Sequence, residues 1–250
     1  MKSRVSIACA AALIALAGCN KKSGSDQAAT PDTSTVKITQ SAPPPGGSWT
    51  DVVNETSDGY LMGNPNAKVK LVEIGSLGCP VCKKFDDEGV PHVMDLVKTG
   101  NLSWEFRPYL IHGPIDMAAD LIARCNGVKT FFPLALAMYK DQESWMGKVE
   151  AAPQSQLEQM SNLPPTQIFK AYATLSGLQD WAAARGIPKA KSDQCLSDQK
   201  MIDKEVQVTS NVNQSYPAFQ GTPSFVLNGD LLTNTSNWAA LKPKLDEALK

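Results

Sequence analysis

Two cysteines, Cys79 and Cys82, flank Pro80 and Val81 at the junction between a strand-like and a helix-like segment. The near-continuous apolar run of residues 69–74 before the pair is typical of a buried strand, and the sequence after it is typical of a helix. A thiol at a helix N-terminus lies near free backbone N–H groups and the positive end of the helix dipole, which favour its thiolate. The spacing therefore predicts a disulfide-exchange site, in which Cys79 attacks a partner and Cys82 resolves the mixed disulfide.

Two other interpretations of the motif remain open at this point. A C-x-x-C pair can be half of a structural zinc site, but such a site needs a second pair of ligands. The histidines of the chain, His92 and His112, do not have a metal-ligand spacing relative to the motif, so we expect no metal site. The second alternative is an inert structural disulfide, for which the start of a helix after a strand is an unusual position.

The N-terminal segment has the pattern of an export signal. A basic start is followed by a thirteen-residue apolar run, residues 5–17, which is too short to span a bilayer. The sequence Leu-Ala-Gly-Cys that ends at Cys19 resembles the lipobox of bacterial lipoproteins. The resemblance implies that residues 1–18 are removed and that Cys19 is acylated, which would anchor the protein to a membrane. An ordinary cleaved signal peptide is the alternative.

Export predicts a periplasmic location, where cysteines are expected to be paired or catalytic. Residues 19–48 are rich in Ser, Thr, Pro, Gly and Gln and have few large apolar side chains, so we expect a disordered tether. The remaining 200 or so residues are enough for one good core. The formal net charge of −1, without a basic cluster in that part, gives no support to nucleic-acid binding.

The order of elements around the motif predicts a parallel strand pair. Residues 60–62 are a candidate short edge strand, and residues 69–74 are the buried strand. The helix after the motif contains Gly89 and Pro91, which should kink it. The alternating residues 102–106 then indicate a second strand, and strand–helix–strand in this order is a right-handed βαβ unit.

From residue 113 to residue 215 the apolar residues recur at the spacing typical of helices, and no strand-like segment interrupts them. A hairpin signal follows, with a strand at residues 224–227, a turn at residues 228–230 and a short return strand. A final helix contains Pro243. The candidate helices of the long segment cover residues 114–125, 131–140, 154–160, 166–175, 179–185, 192–196 and 201–212.

Together with the late segment Gly-Thr-Pro-Ser at residues 221–224, the motif and this order of elements resemble the DsbA-like branch of the thioredoxin superfamily. The resemblance implies an α/β protein in which a thioredoxin-fold domain is interrupted by an inserted helical domain. The thioredoxin-fold domain would comprise residues 49–112 and 216–250, and the helical domain would comprise residues 113–215.

The resemblance also implies residue roles. Cys79 would be the attacking, partly exposed thiol and Cys82 the more buried resolving thiol, so the Cys79–Cys82 disulfide would serve without any other cofactor. Pro223 would be a cis proline beside that disulfide, which leaves the backbone of Thr222 free to pair with an extended substrate. Strongly oxidising relatives carry a histidine at the position of Val81. Its absence predicts a milder potential and leaves the direction of electron flow open.

The same family resemblance implies roles for three further residues. Glu73 occupies the place of a buried acid that could accept the proton of Cys82, and a solvent-facing strand carboxylate is the alternative. Cys125 and Cys195 both fall in the insert, where some relatives have a second, noncatalytic disulfide. We therefore predict a structural disulfide between them, with a buried pair of free thiols as the alternative.

The leading functional prediction is a lipid-anchored disulfide donor to exported cysteine-containing proteins, reoxidised by a membrane redox partner. A second possibility keeps the fold and reverses the flow, giving a reductase or isomerase kept reduced by a membrane donor. A third is a non-catalytic peptide clamp for envelope assembly, formed around Val81, Leu77 and Thr222. Because no segment typical of dimeric isomerases precedes the fold, we expect a monomer that acts as an oxidase.

Overall fold

The computed structural model describes residues 41–250. The predicted signal peptide, the acylation site Cys19 and the tether as far as residue 40 lie outside the described residues. Within residues 41–250 no helix is both long enough and apolar enough to cross a membrane. These residues belong to a single compact unit.

The last part of the predicted tether lies against the fold. The Ser41 N–H donates to the Thr99 carbonyl at 2.9 Å, and the indole N–H of Trp49 donates to the Ser41 carbonyl at 3.0 Å. Trp49 begins a single 3-10 turn, Trp49–Asp51, which Ser48 caps. The expected tether therefore ends earlier than residue 48, because backbone groups near Ser41 find partners on the folded part.

The described strands form one six-stranded mixed sheet with the order β1-β2-β4-β3-β5-β6. The centre of this sheet is the predicted parallel pair of β3 and β4, and β5 pairs antiparallel with β3 on its other side. In chain order, the strands are β1 Val53–Glu55, β2 Tyr60–Gly63, β3 Val69–Gly75, β4 Leu102–Pro108, β5 Ser224–Leu227 and β6 Asp230–Leu231.

The prediction that residues 60–62 form an edge strand is wrong, because β2 has a neighbour on each side. It pairs with β4 and with β1. The sequence did not predict β1, since its three residues are half-buried or exposed and contain a single apolar side chain, Val53. A strand this short takes its structure from its neighbour rather than from its own pattern.

The crossover from β3 to β4 consists of two helices, α1 Pro80–Glu88 and α2 Val90–Lys98. They meet at Gly89, as the predicted kink requires. Pro91 lies in the first turn of α2 and has no N–H to donate to the preceding turn, so the helical hydrogen bonds of α1 cannot continue through it. This break lets α1 aim its N-terminus at the carboxyl end of β3, while α2 packs back along the sheet.

Eight helices lie between β4 and β5, and residues 114–215 contain no strand. The sequence predicted all of them except α5, in which only Gln142, Trp145 and Val149 are buried. The helices are α3 Pro114–Ala123, α4 Phe131–Lys140, α5 Gln142–Glu150, α6 Gln154–Ser161, α7 Pro165–Leu175, α8 Leu178–Ala183, α9 Lys189–Cys195 and α10 Gln199–Ser215.

The helices and the sheet share one hydrophobic core. Trp104 and Phe106 of β4 contact aromatic residues of α4, with ring centroids 4.9 Å apart for Trp104 and Phe132 and 5.8 Å apart for Phe106 and Phe131. All four side chains are buried. The inserted helices therefore pack directly on the thioredoxin sheet and position its neighbouring loops.

The C-terminal elements follow the predicted hairpin. Asn228 and Gly229 have φ angles of 51° and 99°, the pair of positive values that a tight two-residue hairpin requires. The Asn228 side chain also accepts the Lys70 N–H at 2.8 Å, which ties the turn to β3. The last helix, α11 Trp238–Ala248, continues through Pro243.

The disulfide predicted between Cys125 and Cys195 is present, with Cα atoms 5.7 Å apart. Cys195 is the last residue of α9, and Cys125 lies just beyond the end of α3. The bridge thus joins two helices that are far apart in sequence, and the alternative of two free thiols is wrong.

We expect that replacing both Cys125 and Cys195 with serine lowers the melting temperature. Their sequence separation is 70 residues, and closing such a loop removes unfolded-chain entropy worth up to about 4 kcal/mol. For a domain of this size that corresponds to a decrease of up to about 8–16 °C, measurable by calorimetry. A Tm equal to that of the wild type would show that the bridge has no stabilising role.

Candidate active site

The C-x-x-C pair lies at the N-terminus of α1, beyond the carboxyl end of β3. Cys79 is the N-cap residue, with extended backbone angles, and Pro80 occupies the first helical position, where its missing N–H has no cost. Cys79 keeps 6% of its surface exposed, whereas Cys82, one turn into the helix, has none. Both are free thiols in this structure. A partner molecule can therefore reach Cys79 and cannot reach Cys82.

The surroundings of Cys79 favour its thiolate. Its pKa is lowered to about 5, chiefly by a hydrogen bond from the Cys82 thiol and, against the effect of burial, by the neighbouring Thr222 and by hydrogen bonds from the backbone N–H groups of Cys82 and Val81. Backbone N–H groups at a helix N-terminus have no partner within the helix, so a thiolate at the N-cap position can accept from them. Cys79 is therefore ionised at neutral pH.

Cys82 has the opposite tendency. Burial raises its pKa well above the ordinary value, and both the hydrogen bond to Cys79 and the negative charges of Cys79 and Glu73 add to the increase. The two thiols, one turn apart, thus differ in both exposure and acidity. This difference makes Cys79 a good nucleophile or leaving group, and makes Cys82 a thiol that needs a proton acceptor before it can react.

The predicted cis bond between Thr222 and Pro223 is present. It places the Thr222 carbonyl 3.4 Å from Cys79 Sγ, within reach of the thiol proton. The buried Thr222 hydroxyl has no hydrogen-bond partner among the described residues, and the presence of Thr222 beside the sulfur lowers the pKa of Cys79. The loop before β5 is thus part of the site.

Glu73 lies inside the protein near the cysteine pair, so the solvent-facing alternative is wrong. Its side chain is 1% exposed, and the Trp104 indole N–H donates to it at 3.2 Å. Burial and the nearby charge of Asp86 raise its pKa to about 8, and the Trp104 hydrogen bond opposes that increase only in part. Glu73 is thus protonated near neutral pH and can exchange a proton in that range.

Asp86 is a second acid of the site, and sequence analysis missed it. Burial and the neighbouring Asp87 raise its pKa to about 7, and one of its oxygens is buried without a hydrogen-bond partner among the described residues. Asp86 lies four residues after Cys82, which is one turn along the same face of α1. That spacing was a usable signal, because a carboxylate one turn from a buried thiol shares its surroundings.

The loop that leads into the motif is held by Asp116 of α3. This buried carboxylate accepts the Ser76 hydroxyl with both oxygens at 2.9 Å, and it accepts the Gly78 N–H at 2.9 Å. It also accepts the backbone N–H of His112 at 2.7 Å. Each donor lies within a few residues of the reactive thiol or of the chain leading into α3, so Asp116 fixes where α1 begins.

Two more side chains from the inserted helices hold the same loop. The Tyr139 hydroxyl of α4 donates to the Ser76 carbonyl at 3.0 Å. The Gln142 amide of α5 donates to the Leu77 carbonyl at 2.7 Å and to the Cys79 carbonyl at 3.0 Å. These are buried polar groups with satisfied hydrogen bonds, an arrangement that fixes a single backbone conformation. The insert therefore contributes directly to the geometry of the motif.

Two apolar side chains near the motif and the cis-proline loop are exposed. Val81 and Ile111 expose 46% and 49% of their surface, whereas Leu77, which we expected on this surface, is 2% exposed. Leu77 cannot contact a partner because its side chain fills the core under the motif. The Ile111 side chain lies beside the cis-proline loop, 4.0 Å from where a β-carbon on Gly221 would stand. A cavity of about 670 Å³ continues beside Thr222 and Pro223.

No group of three or more histidine, cysteine, aspartate or glutamate side chains in residues 41–250 is arranged to hold a metal ion. The C-x-x-C pair thus has no second set of ligands in the part of the chain that the structure describes. The groups that surround it there are hydrogen-bond donors and carboxyl groups, which suit proton and disulfide exchange.

The raised pKa of Glu73 predicts a pH-dependent effect of the Glu73→Gln variant on stability. Because the folded-state pKa of about 8 exceeds the ordinary glutamate value of 4.5, the folded state keeps a proton that the unfolded state loses, and wild-type stability falls as pH rises from about 4.5 to 8. Glutamine does not titrate, so the Glu73→Gln variant does not lose this stability. The unfolding free energy of the variant minus that of the wild type should therefore become more positive by a few kcal/mol between pH 4.5 and pH 8.

Urea unfolding of the reduced proteins at pH 5 and pH 8 measures this difference. Glu88→Gln, at an exposed position near the end of α1, is the matched control and should show no such change. Equal differences between the Glu73→Gln variant and wild type at both pH values would contradict the assignment.

Comparison with known proteins agrees with this architecture. Residues 55–247 match the family model described as Thioredoxin. A Rickettsia bellii protein named as a protein-disulfide oxidoreductase is 24% identical over 194 residues, a match that covers 76% of this chain and 64% of that protein. The chain thus spans less than two thirds of the length of this curated relative.

Solved structures give the same result for the fold. A protein-disulfide isomerase from Novosphingobium aromaticivorans has a TM-score of 0.74 at 33% identity, covering 78% of this chain and 100% of that one. The alpha-DsbA1 protein of Wolbachia pipientis has a TM-score of 0.61 at 19% identity, covering 79% and 94%. The chain therefore belongs to the thioredoxin family and has the DsbA-like form of its fold, in which helices are inserted between β4 and β5.

Proposed function

We propose that this protein is a thiol-disulfide oxidoreductase that donates its Cys79–Cys82 disulfide to other proteins. The observation that carries the proposal is the contrast within one helical turn between an accessible thiol of low pKa and a fully buried thiol of high pKa. The relatives named as protein-disulfide oxidoreductase and protein-disulfide isomerase support the same class of reaction.

In the first step, a client thiolate attacks Cys79 Sγ of the disulfide. A bond forms between the client sulfur and Cys79, and the bond between Cys79 and Cys82 breaks with its electron pair on Cys82. Because Cys82 is buried and its pKa is high, the leaving thiolate takes up a proton. Glu73 is protonated near neutral pH and lies close enough to influence Cys82 electrostatically, so we assign it the role of proton donor in this step.

In the second step, another client thiolate attacks the client sulfur of the mixed disulfide. The client disulfide forms, and Cys79 leaves as a thiolate. Its low pKa makes it a good leaving group, which speeds release of the oxidised client. In sum, two electrons pass from the client dithiol to the protein, which ends with Cys79 as thiolate and Cys82 as thiol. A partner disulfide must then accept these electrons to regenerate the donor.

The substrate surface would be formed by Thr222, Val81 and Ile111. The cis bond leaves the backbone of Thr222 beside Cys79, where an extended client segment could pair with it as an added strand. Val81 in the motif and Ile111 beside the cis-proline loop offer exposed apolar contacts. These features suit an unfolded client with apolar residues next to its cysteine, without requiring a particular sequence.

The direction of electron flow follows from which redox form the protein stabilises. Hydrogen bonds to the Cys79 thiolate favour the reduced form and make the disulfide more oxidising, which supports the donor role. The reductase or isomerase alternative is favoured by Val81, at the place where strongly oxidising relatives have histidine, and by the relative named as an isomerase. A purely structural disulfide in a peptide clamp would not need the low pKa of Cys79.

The cellular setting remains part of the proposal. The export signal and the lipobox-like segment ending at Cys19 support a lipid-anchored protein on the periplasmic side of the envelope. There its clients would be exported cysteine-containing proteins, and a membrane redox partner would reoxidise it. The protein would act as a monomer, with the Cys79–Cys82 disulfide as its sole redox group.

We expect Cys79→Ser to abolish oxidation of a dithiol peptide, because no accessible sulfur remains for the client to attack. Cys82→Ser cannot form the donor disulfide, but its Cys79 thiolate can attack a client disulfide, and the resulting mixed disulfides should accumulate because no Cys82 thiol is present to attack the bond to Cys79. The Cys125→Ser/Cys195→Ser double variant is the control, since it removes two cysteines outside the site and should keep most of the activity. Turnover is followed by peptide fluorescence, and mixed disulfides by nonreducing electrophoresis.

Full turnover by Cys79→Ser would refute the mechanism. Alkylation of the wild-type protein in cells separates the two directions. A donor should be trapped mainly with Cys79 and Cys82 as a disulfide, whereas a reductase or isomerase should be trapped mainly as thiols.

A further inference from the structure

His112 lies in the chain between β4 and α3, next to the loop that precedes the motif. Its ring Nδ1 is 3.1 Å from the Ser76 hydroxyl and 3.3 Å from Asp116 Oδ2. A third of its side chain is exposed, whereas the Asp116 carboxylate is buried. One edge of the imidazole is therefore fixed by a buried carboxylate, while the ring remains in contact with solvent and can titrate.

The imidazole and Asp116 both adjoin Gly78, the residue before Cys79. A β-carbon at position 78 would stand 3.4 Å from His112 Nδ1 and only 2.7 Å from Asp116 Oδ1. The absence of a side chain at Gly78 thus lets both groups approach the backbone immediately before the reactive thiol. A charge on His112 consequently lies close to the N-terminus of α1, where the thiolate forms.

The charged groups around His112 favour its protonated form. Its pKa is raised, first by the hydrogen bond with Asp116 and then by the negative charges of Asp116, of the Cys79 thiolate and of Glu150 on α5, against the effect of burial. The interaction between two charges is mutual, so an imidazolium that is stabilised by the thiolate must stabilise the thiolate to the same extent. The negative charge of Asp116 is also offset by other hydrogen bonds that the carboxylate accepts, from the Ser76 hydroxyl and from the backbone N–H groups of Gly78 and His112.

We propose that His112, oriented by Asp116, supplies beside Cys79 the positive charge that a histidine at the position of Val81 would otherwise supply, and so makes the Cys79–Cys82 disulfide more oxidising. His112 acts through the thiolate and does not touch the reacting sulfur, so it is a positioning residue. The inference rests on the proposed function, because it concerns the redox equilibrium of the same cysteine pair.

The proposal requires His112 and the redox state of the pair to be linked. The reduced protein carries a thiolate at Cys79, and the oxidised protein carries none. The pKa of His112 should therefore be higher in the reduced protein than in the disulfide form. The contribution of His112 to oxidising power should be present at low pH, where the imidazole is charged, and should disappear as pH rises through the raised pKa.

Proton NMR titration of the imidazoles tests this link without any activity assay. The chain has two histidines, and the other one, His92, is exposed on α2 and stacks on Trp238 with centroids 5.0 Å apart. We expect the His112 titration to move to lower pH when the Cys79–Cys82 disulfide forms, because the thiolate charge that raises its pKa is then lost. Equal His112 titrations in the two redox forms would overturn the proposal.

The His112→Asn variant tests the consequence. Asparagine keeps a side-chain N–H donor for Asp116 but cannot be charged, so the loop should stay in place. At pH 6 the equilibrium constant for oxidation of glutathione by the protein disulfide should fall by about three- to tenfold, and the difference from wild type should shrink at pH 9. His92→Asn is the matched control and should leave the constant unchanged at both pH values.

Each remaining outcome is decisive. A decrease of the same size at pH 6 and pH 9 would indicate a structural role for His112 and refute the charge effect. A wild-type constant in His112→Asn at pH 6 would also refute it. If the wild-type pair does not exchange with glutathione at all, the proposed function fails instead, and the two failures are therefore distinguishable.

Discussion

The hydrogen bonds to Cys79 Sγ at the N-terminus of α1 are the interactions on which the site depends. Sulfur at an N-cap position accepts from backbone N–H groups that have no partner within the helix. The neighbouring Cys82 thiol adds a further donor, and Thr222 also lowers the pKa of Cys79. These groups lie on α1 itself and on the cis-proline loop before β5. The thiolate is therefore stabilised only when both segments are in place, which requires the central sheet that positions them.

The inserted helices serve this arrangement as much as the sheet does. Asp116, Tyr139 and Gln142 come from three successive long helices of the insert, and all three bind backbone or hydroxyl groups of residues 76–79. Each is buried, so breaking one of these bonds would leave a polar group without a partner at a cost of about 1–3 kcal/mol. The start of α1, and with it the exposure of Cys79, is thus fixed from the side of the insert.

The local parts of the fold and site could be predicted from the sequence. The βαβ unit, the hairpin at Asn228 and most helices follow from hydrophobic period and turn residues. Cys79 and Cys82 follow from their spacing after a strand. The cis bond before Pro223 and the disulfide between Cys125 and Cys195 followed from the family resemblance, because nothing in a Thr-Pro pair or in two distant cysteines shows geometry by itself.

The supporting groups could not be predicted, for physical reasons. Asp116 and Gln142 lie 38 and 63 residues from the groups they bind, and no local pattern marks such partners. The helix α5 was missed because few apolar side chains mark its buried face. Of its three buried residues, Gln142 is polar, and only Trp145 and Val149 are apolar. Leu77 was expected on the surface because its place in the motif loop does not show which way its side chain turns.

The central claim is that the structure makes Cys79 an unusually acidic thiol while it keeps Cys82 protonated. Thiolate absorbance of the reduced protein at 240 nm, followed from pH 3 to pH 9, tests this claim directly. The account predicts one ionisation, with a midpoint near 5, and no second thiolate signal up to pH 9. Two thiols that both ionise near the unperturbed pKa of about 8.5 would contradict it.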